Sequence, residues 1–402
     1  MSPLFFMEEK RMKITKIELI PVSLPRPAPS TRQNNVVLIK MHTDEGIVGI
    51  ADGGEYPGGG GQELVMSIIK TWEPMLIGAD PFDKEKILAR LERFIHTNVG
   101  LSYPGCVALI DFALWDIVGK AHNQPIYQLL GGKRAEKLQV DYVISDVGNP
   151  SAKEVAAVAA RAVENGCMTF CLKVGGSWGS SFSKDIENVK ETRAAIGDNE
   201  DIHFCIDANG SLDYTTALEY CRRLEKYNLY KFEQPLVWWD IAGMARLRSS
   251  QSIPICAHES SVKVPFLVEC IRQDACDMVG TKVVWAGGIS EAVKWGYIAK
   301  AANLGVYCGS MNGPFEAAAQ AQWLASDEWY GRLAHANLFP MFYHGTFDTT
   351  GSLEIEDIVV KPLGYKDGYC YPPDGPGIGL ELNETAVPKF ITKGLAPVTI
   401  GG

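Results

Sequence analysis

The chain has 402 residues, 46% of them hydrophobic and 21% charged, a balance that supports a large buried core and excludes both a disordered tail and a small disulfide-stapled domain. Its formal net charge of −10, with no run of Lys and Arg, excludes a general surface for nucleic acid or anionic membrane, so an anionic substrate must be met by a local positive site. The longest apolar stretch, residues 106–118, carries Asp111 and Asp116 and is no membrane span; the apolar run at 4–7 is too short for a signal-peptide core, so the chain reads as cytoplasmic.

Residues 13–23, 35–42 and 46–51 alternate apolar and polar side chains around the turn Thr43-Asp44-Glu45-Gly46, which predicts a small antiparallel sheet. Helix-like spacing follows at 64–72, 83–97 and 105–121, where Val107, Ile110, Leu114 and Ile117 recur at three- and four-residue steps. Residues 1–137 thus read as an α+β domain. From 138 the pattern changes to short β-rich runs at 138–144, 168–174, 202–207, 229–234, 253–259, 276–282 and 304–310, with an eighth at 333–339. Amphipathic helices lie between them; one opens on the capping box Ser151-Ala-Lys-Glu154 and stops at Gly166. Such a series predicts an α/β parallel barrel over 138–350, a doubly wound open sheet being the alternative that periodicity leaves standing. The Gly- and Pro-rich segment 351–402 should pack back on the first domain. The ten cysteines include no CxxC pair, and several sit in apolar strand-like runs, so they read as buried free thiols.

In a parallel barrel the chemistry gathers where strands end, and here nearly every strand ends in an ionisable residue. The second ends in Lys173, the third in Asp207 followed by Asn209, the fourth in Glu233, the fifth in His258-Glu259 and the sixth in Lys282. Asp207, Glu233 and Glu259 follow one another at spacings of 26 residues, one strand–helix unit each, so they should converge from adjacent strands. Three carboxylates at one point need compensation, and a hard divalent cation, Mg²⁺, suits oxygen donors of this kind. Singly, each would read as a solvated loop acid. Lys173 and Lys282 stand on the second and sixth strands, opposite one another across eight, and an amine partly desolvated beside a cation is a usable base. Trp238, Trp239 and Trp285 follow strand ends; wall packing is their first reading and an aromatic cage for an amine the alternative. The glycine run at 58–61 lacks the Lys-Ser/Thr of a phosphate-binding loop and reads as a capping loop over the mouth.

These residues resemble the enolase superfamily, and within it the muconate lactonizing enzyme subgroup, over essentially the whole chain. The resemblance rests on Ala108-Leu-Ile-Asp-Phe-Ala-Leu-Trp-Asp-Ile-Val-Gly-Lys120, the Leu-Leu-Gly-Gly at 129–132, Asp207-Ala-Asn, Phe232-Glu-Gln-Pro235, Lys282 ahead of Gly287-Gly-Ile289, and Gly375-Pro-Gly-Ile-Gly379. It implies a (β/α)7β barrel, an α+β capping domain completed by the C-terminal tail, a homo-oligomer, and one Mg²⁺ held by Asp207, Glu233 and Glu259. It also implies abstraction of the α-proton of a small carboxylate through a metal-stabilised enolate. In the mandelate racemase subgroup an aspartate replaces Lys282 and pairs with a histidine after the seventh strand; this chain has Tyr307-Cys-Gly-Ser-Met-Asn312 there, which favours the two-lysine subgroup. Two lysines suit racemisation or epimerisation, with cycloisomerisation and syn-dehydration as alternatives on the same intermediate. A catalytically silent acid-binding scaffold is the reading of another class.

Three positions depart from the pattern. The Lys-x-Lys of the second strand has Cys171 in its first place, removing a cation that would lower the pKa of Lys173. The Asp-Glu-Ser whose Asp is the third ligand in close relatives is His258-Glu259-Ser here; by resemblance to relatives that carry Gly-Glu at this place, Glu259 is expected as the ligand and His258 is directed to substrate or to the ligands' own partners, a His258 ligand being the alternative. Asn312 and Gly313 replace the seventh-strand acid of muconate cycloisomerases. Cys171, Asn209, His258, Trp285 and Asn312 complete the expected surroundings of substrate and metal.

Overall fold

The computed structural model describes residues 11–25, 33–54, 61–97, 104–144, 150–176, 181–309, 313–336 and 358–402. Strands β1 (Ile14–Pro25), β2 (Gln33–Thr43) and β3 (Val48–Gly53) form an antiparallel sheet, and the chain's final strand, Val398–Gly401, pairs with β1 at its edge. Helices α1 (Gly61–Thr71), α2 (Glu73–Leu76), α3 (Lys84–Thr97), α4 (Pro104–Ala121) and α5 (Ile126–Leu129) follow. Buried residues occur all round α4, as expected of a helix covered on every side. The sheet comes so close to it that a Cβ on Gly49 would lie 2.3 Å from the Ala113 carbonyl oxygen.

The two acids of that apolar helix are staples. Asp116 accepts the backbone N–H of Ile50 at 2.7 Å and of Ile378 at 2.9 Å and pairs with Lys120, tying sheet, helix and tail together. Asp111 accepts the Ser290 hydroxyl at 2.5 Å and its N–H at 3.1 Å, fixing the cap to the barrel. Asp52 does the same at another helix start, accepting the N–H groups of Phe315 and Glu316.

The barrel runs β4 (Leu138–Ile144), α6 (Ala152–Glu164), β5 (Thr169–Lys173), α7 (Phe182–Ile196), β6 (His203–Asp207), α8 (Tyr214–Leu224), β7 (Lys231–Glu233), α9 (Ile241–Ser249), β8 (Ile255–Ala257) and α10 (Val264–Arg272). It continues through β9 (Met278–Thr281), α11 (Val283–Ala286), α12 (Ile289–Ala301), β10 (Gly305–Cys308), α13 (Pro314–Ala325) and β11 (His335–Ala336). Successive strands from β4 to β10 pair in parallel, and β11 returns to pair in parallel with β4, which closes the ring and excludes the open doubly wound sheet. Across the β10–β11 seam the Cys308 N–H donates to His335 Nδ1 at 3.2 Å while Nε2 lies 2.7 Å from the Tyr330 carbonyl. Burial lowers the His335 pKa to about 3, so the ring stays neutral and one nitrogen accepts while the other donates.

The capping box of Ser151 and Glu154 forms at the start of α6. The tail divides its contacts: a hairpin of β12 (Gly364–Lys366) and β13 (Tyr369–Tyr371) adds antiparallel to barrel strand β4 before the final strand reaches the cap sheet. All ten cysteines are unpaired and buried. Among the described residues no helix is long and apolar enough to cross a membrane.

Candidate active site

Parallel register sets the layer from which the site is built. Lys173 on β5, Asp207 on β6 and Glu233 on β7 are direct neighbours at the strand ends, and Cys171, Cys205 and Lys231 repeat the arrangement one layer deeper. His258 and Glu259 follow β8 immediately, and Lys282 follows β9. Strands β5 and β9 have three strands between them on either side, so the two lysines belong to opposite walls.

Lys173 donates to Asp207 Oδ2 and, at 2.9 Å, to Asn209 Oδ1. Asn209 is left-handed at φ 45°, a conformation that asparagine tolerates, and this turns its amide across the mouth to donate to Glu259 Oε1 at 3.0 Å. Its N–H also holds Asp207 Oδ1 at 2.7 Å. Glu233 receives Lys231 Nζ on Oε2 at 2.8 Å and has His258 Nδ1 2.9 Å from Oε1. The turn after β8 is held from the neighbouring strand, since Gln234 Oε1 accepts the N–H of both His258 and Ser260 and its Nε2 donates to the Ser260 hydroxyl.

Electrostatics follow from burial and these pairings. Burial raises the Asp207 carboxyl, Glu233 and Glu259 push it the same way, and Lys173 opposes them. Glu233 moves in the other direction: burial would raise it, yet Lys231, His258 and Lys173 together hold it well below the usual carboxylate range. For Lys173, burial favours the neutral amine, but Asp207 and Glu233 outweigh it and keep the ammonium form.

The donor set fits a hard divalent cation. Asp207, Glu233 and Glu259 come from adjacent strands, the last two raise the cost of ionising Asp207, and Glu259 Oε2 is buried without a hydrogen bond. Among the described residues no three or more His, Cys, Asp or Glu side chains stand close enough together to hold a metal ion as they are; ammonium and amide groups hold these acids instead.

On the opposite wall Lys282 Nζ stands 3.7 Å over the Trp285 ring, which also stacks on His258 with centroids 5.6 Å apart. Part of the aromatic surface considered as a cage is therefore covered by the protein's own lysine. Trp285, Trp238, Val262, Phe266 and Glu259 line a cavity of about 240 Å³, whereas Trp239 is 66% exposed. Asn312 and Gly58–Gly60 lie outside the described residues.

Two residues of the site escape sequence reading. Gln234 was visible only as part of a Glu-Gln-Pro string. Lys231 had a signal in its spacing, because a residue two before Glu233 on a strand must share its face. Its ammonium supplies a buried cation in the same interior layer as Cys171, which brings none.

Comparison with known proteins gives matches along most of the chain. Residues 13–131 match the model of the mandelate racemase/muconate lactonizing enzyme N-terminal domain, and residues 154–386 match the enolase C-terminal domain-like model. The chain is 30% identical over 389 residues to the N-succinyl-L-Arg/Lys racemase of Bacillus cereus, covering 94% of this chain and 98% of that protein. It is 27% identical to muconate cycloisomerase 1-1 of Acinetobacter lwoffii, covering 96% and 98%. A solved structure of a mandelate racemase/muconate lactonizing family protein from Azoarcus sp. EbN1 superposes with a TM-score of 0.87 at 38% identity, over 96% of this chain and all of that one.

Proposed function

This chain belongs to the mandelate racemase/muconate lactonizing enzyme family of the enolase superfamily, and from that premise we propose that it is a racemase or epimerase of a small carboxylate, with Lys173 and Lys282 as its two proton-transfer groups. The observation that carries the reading is the position of these amines at the ends of opposite strands, with Asp207, Glu233 and Glu259 on the strands between. Asp207, Glu233 and Glu259 would hold Mg²⁺, which when bound supplies the positive charge that offsets the negative charge developing on the substrate as its α-proton leaves.

The proton itself is handled by the chain's own side chains. Whichever lysine is neutral forms an N–H bond as the Cα–H bond breaks, and the electron pair passes into the carboxylate as an enolate. The opposite lysine, protonated, delivers its proton to the other face of that carbon. No atom is lost; the centre is inverted and the two amines have exchanged protonation states. Lys173 reaches the neutral form only when its contact with Asp207 gives way, so that ion pair belongs to the resting enzyme. His258, between Glu233 and Trp285, positions the mouth around the substrate.

The apolar walls offered by Trp238, Val262, Phe266 and Trp285 support a substrate with an apolar group near its carboxylate. The Bacillus cereus relative is named for N-succinyl-L-Arg/Lys, so N-acylated amino acids lead the test panel, followed by dipeptides. With Mg²⁺ in D₂O, a true substrate should exchange its α-proton and lose optical rotation. If every such compound is inert while muconate is lactonised or a sugar acid loses water, the enzyme runs a one-base reaction and the racemase reading is wrong.

A further inference from the structure

Lys231 projects from β7 into the barrel, and only 3% of its side chain is exposed. Its ammonium donates to Glu233 Oε2 at 2.8 Å, lies 3.6 Å from Asp141 Oδ2 on β4, and sits 3.3 Å from the centroid of the Tyr307 ring on β10. Strands from three sides of the barrel therefore meet on one positive charge. Burying an ammonium is costly unless it is paired. Two carboxylates and the face of an aromatic ring supply that pairing.

The register makes its place informative. Lys231 aligns through Cys205 with Cys171, the position at which the resembling pattern carries a lysine. Burial and the neighbouring acids keep the Cys171 thiol protonated, so it adds no charge of its own. The interior layer thus contains a cation, but a different strand provides it.

We propose that Lys231 is the positioning cation of this site, transferred from the second barrel strand to the fourth: it anchors one oxygen of Glu233, leaves Oε1 on the His258 side, and balances Asp141. The proposal rests on the reading of Glu233 as a metal ligand. A partner that orients a ligand from behind is worth roughly 10–100-fold in metal affinity. A merely structural lysine would affect folding and leave affinity alone.

The test is a charge transplant, using Lys231→Met, Cys171→Lys and the double variant, with Mg²⁺ titrated by calorimetry and melting temperature measured for each. Lys231→Met should bind Mg²⁺ about 10–100-fold more weakly. Cys171→Lys alone, placing a second ammonium beside the first, should melt lower than the native protein. The double variant should recover most of both losses, a strongly non-additive cycle. Unchanged Mg²⁺ affinity in Lys231→Met, or a double variant as impaired as its two parents combined, overturns the proposal. Should Lys231→Met fail to fold, the double variant decides: folded and Mg²⁺-binding upholds the transplant, unfolded refutes it. If the native protein binds no Mg²⁺, the ligand reading fails and the positioning role falls with it, while the melting cycle still reports whether the two positions share one cation.

Discussion

Lys282 holds its ammonium 3.7 Å above the ring of Trp285, three residues further along the chain. A lysine at a strand end has a flexible four-carbon stem, and a proton-transfer group gains from being held in one place. A cation–π contact contributes about 0.5–2 kcal/mol depending on its solvation. Trp285→Leu should therefore slow the exchange step served by Lys282 by up to about 30-fold and leave the Lys173 step near its native rate. Deuterium incorporation into each enantiomer separates the two; equal slowing of both would mean that Trp285 shapes the cavity rather than the lysine.

Chelation should abolish turnover and added Mg²⁺ should restore it, since the three converging carboxylates otherwise face ammonium, amide and imidazole groups of the chain itself. Asp207→Asn, Glu233→Gln and Glu259→Gln should each weaken Mg²⁺ binding by calorimetry. Glu259 has the sharpest expectation, because its Oε2 is buried without a hydrogen bond. If Glu259→Gln binds normally and His258→Ala does not, the fifth-strand ligand is the imidazole.

Much of this site could be read from residue order because strand periodicity constrains it. Lys173, Asp207 and Glu233 each close an apolar run, and a parallel barrel brings run ends into one layer. The functional value of Lys231 was hidden for the opposite reason: its partners Asp141 and Tyr307 come from strands far away in sequence, and only closure of the ring makes them neighbours. The same applies to the His335 seam, where a side chain links β10 to β11, and to the hairpin that the tail adds to β4. Asp111 and Asp116 were conspicuous in an apolar helix, but their stapling roles depend on backbone N–H groups from remote segments.

Asp111 gives the fold a pH dependence that can be isolated. Burial raises its pKa to about 7, against the hydrogen bonds from Ser290 and the charge of Lys84. In the unfolded chain an aspartate titrates near ~3.9. Between these values the folded state keeps a proton that the unfolded state has lost, so this group's contribution to stability falls as pH rises from about 4 to about 7 and levels off above. At 1.36 kcal/mol per unit the swing is at most about 4 kcal/mol. Asp111→Asn cannot ionise and retains an acceptor for Ser290. Its melting temperature relative to the native protein should climb steadily between pH 4.5 and 7.5 (about the interval set by the two pKa values). A difference independent of pH would show that Asp111 ionises freely at the cap–barrel contact.

The two-base mechanism predicts mirror behaviour. If Lys173 and Lys282 address opposite faces of one carbon, each enantiomer of a substrate loses its proton to only one of them. Lys282→Ala should then fail to racemise yet still exchange the α-proton of one enantiomer with solvent, and Lys173→Ala should exchange only the other. Both variants keep all three carboxylates, so Mg²⁺ binding measured alongside shows whether the site is otherwise intact. In Lys173→Ala the loss of an ammonium from Asp207 should leave that affinity equal or higher. A dehydratase or cycloisomerase would behave asymmetrically: one lysine would be the base, and the other would act as acid or electrostatic support. Deuterium uptake from D₂O into each pure enantiomer, followed by NMR, distinguishes these cases. Should one variant exchange neither enantiomer while the other exchanges both, the amines do not divide the two faces between them, and catalysis depends on a single base.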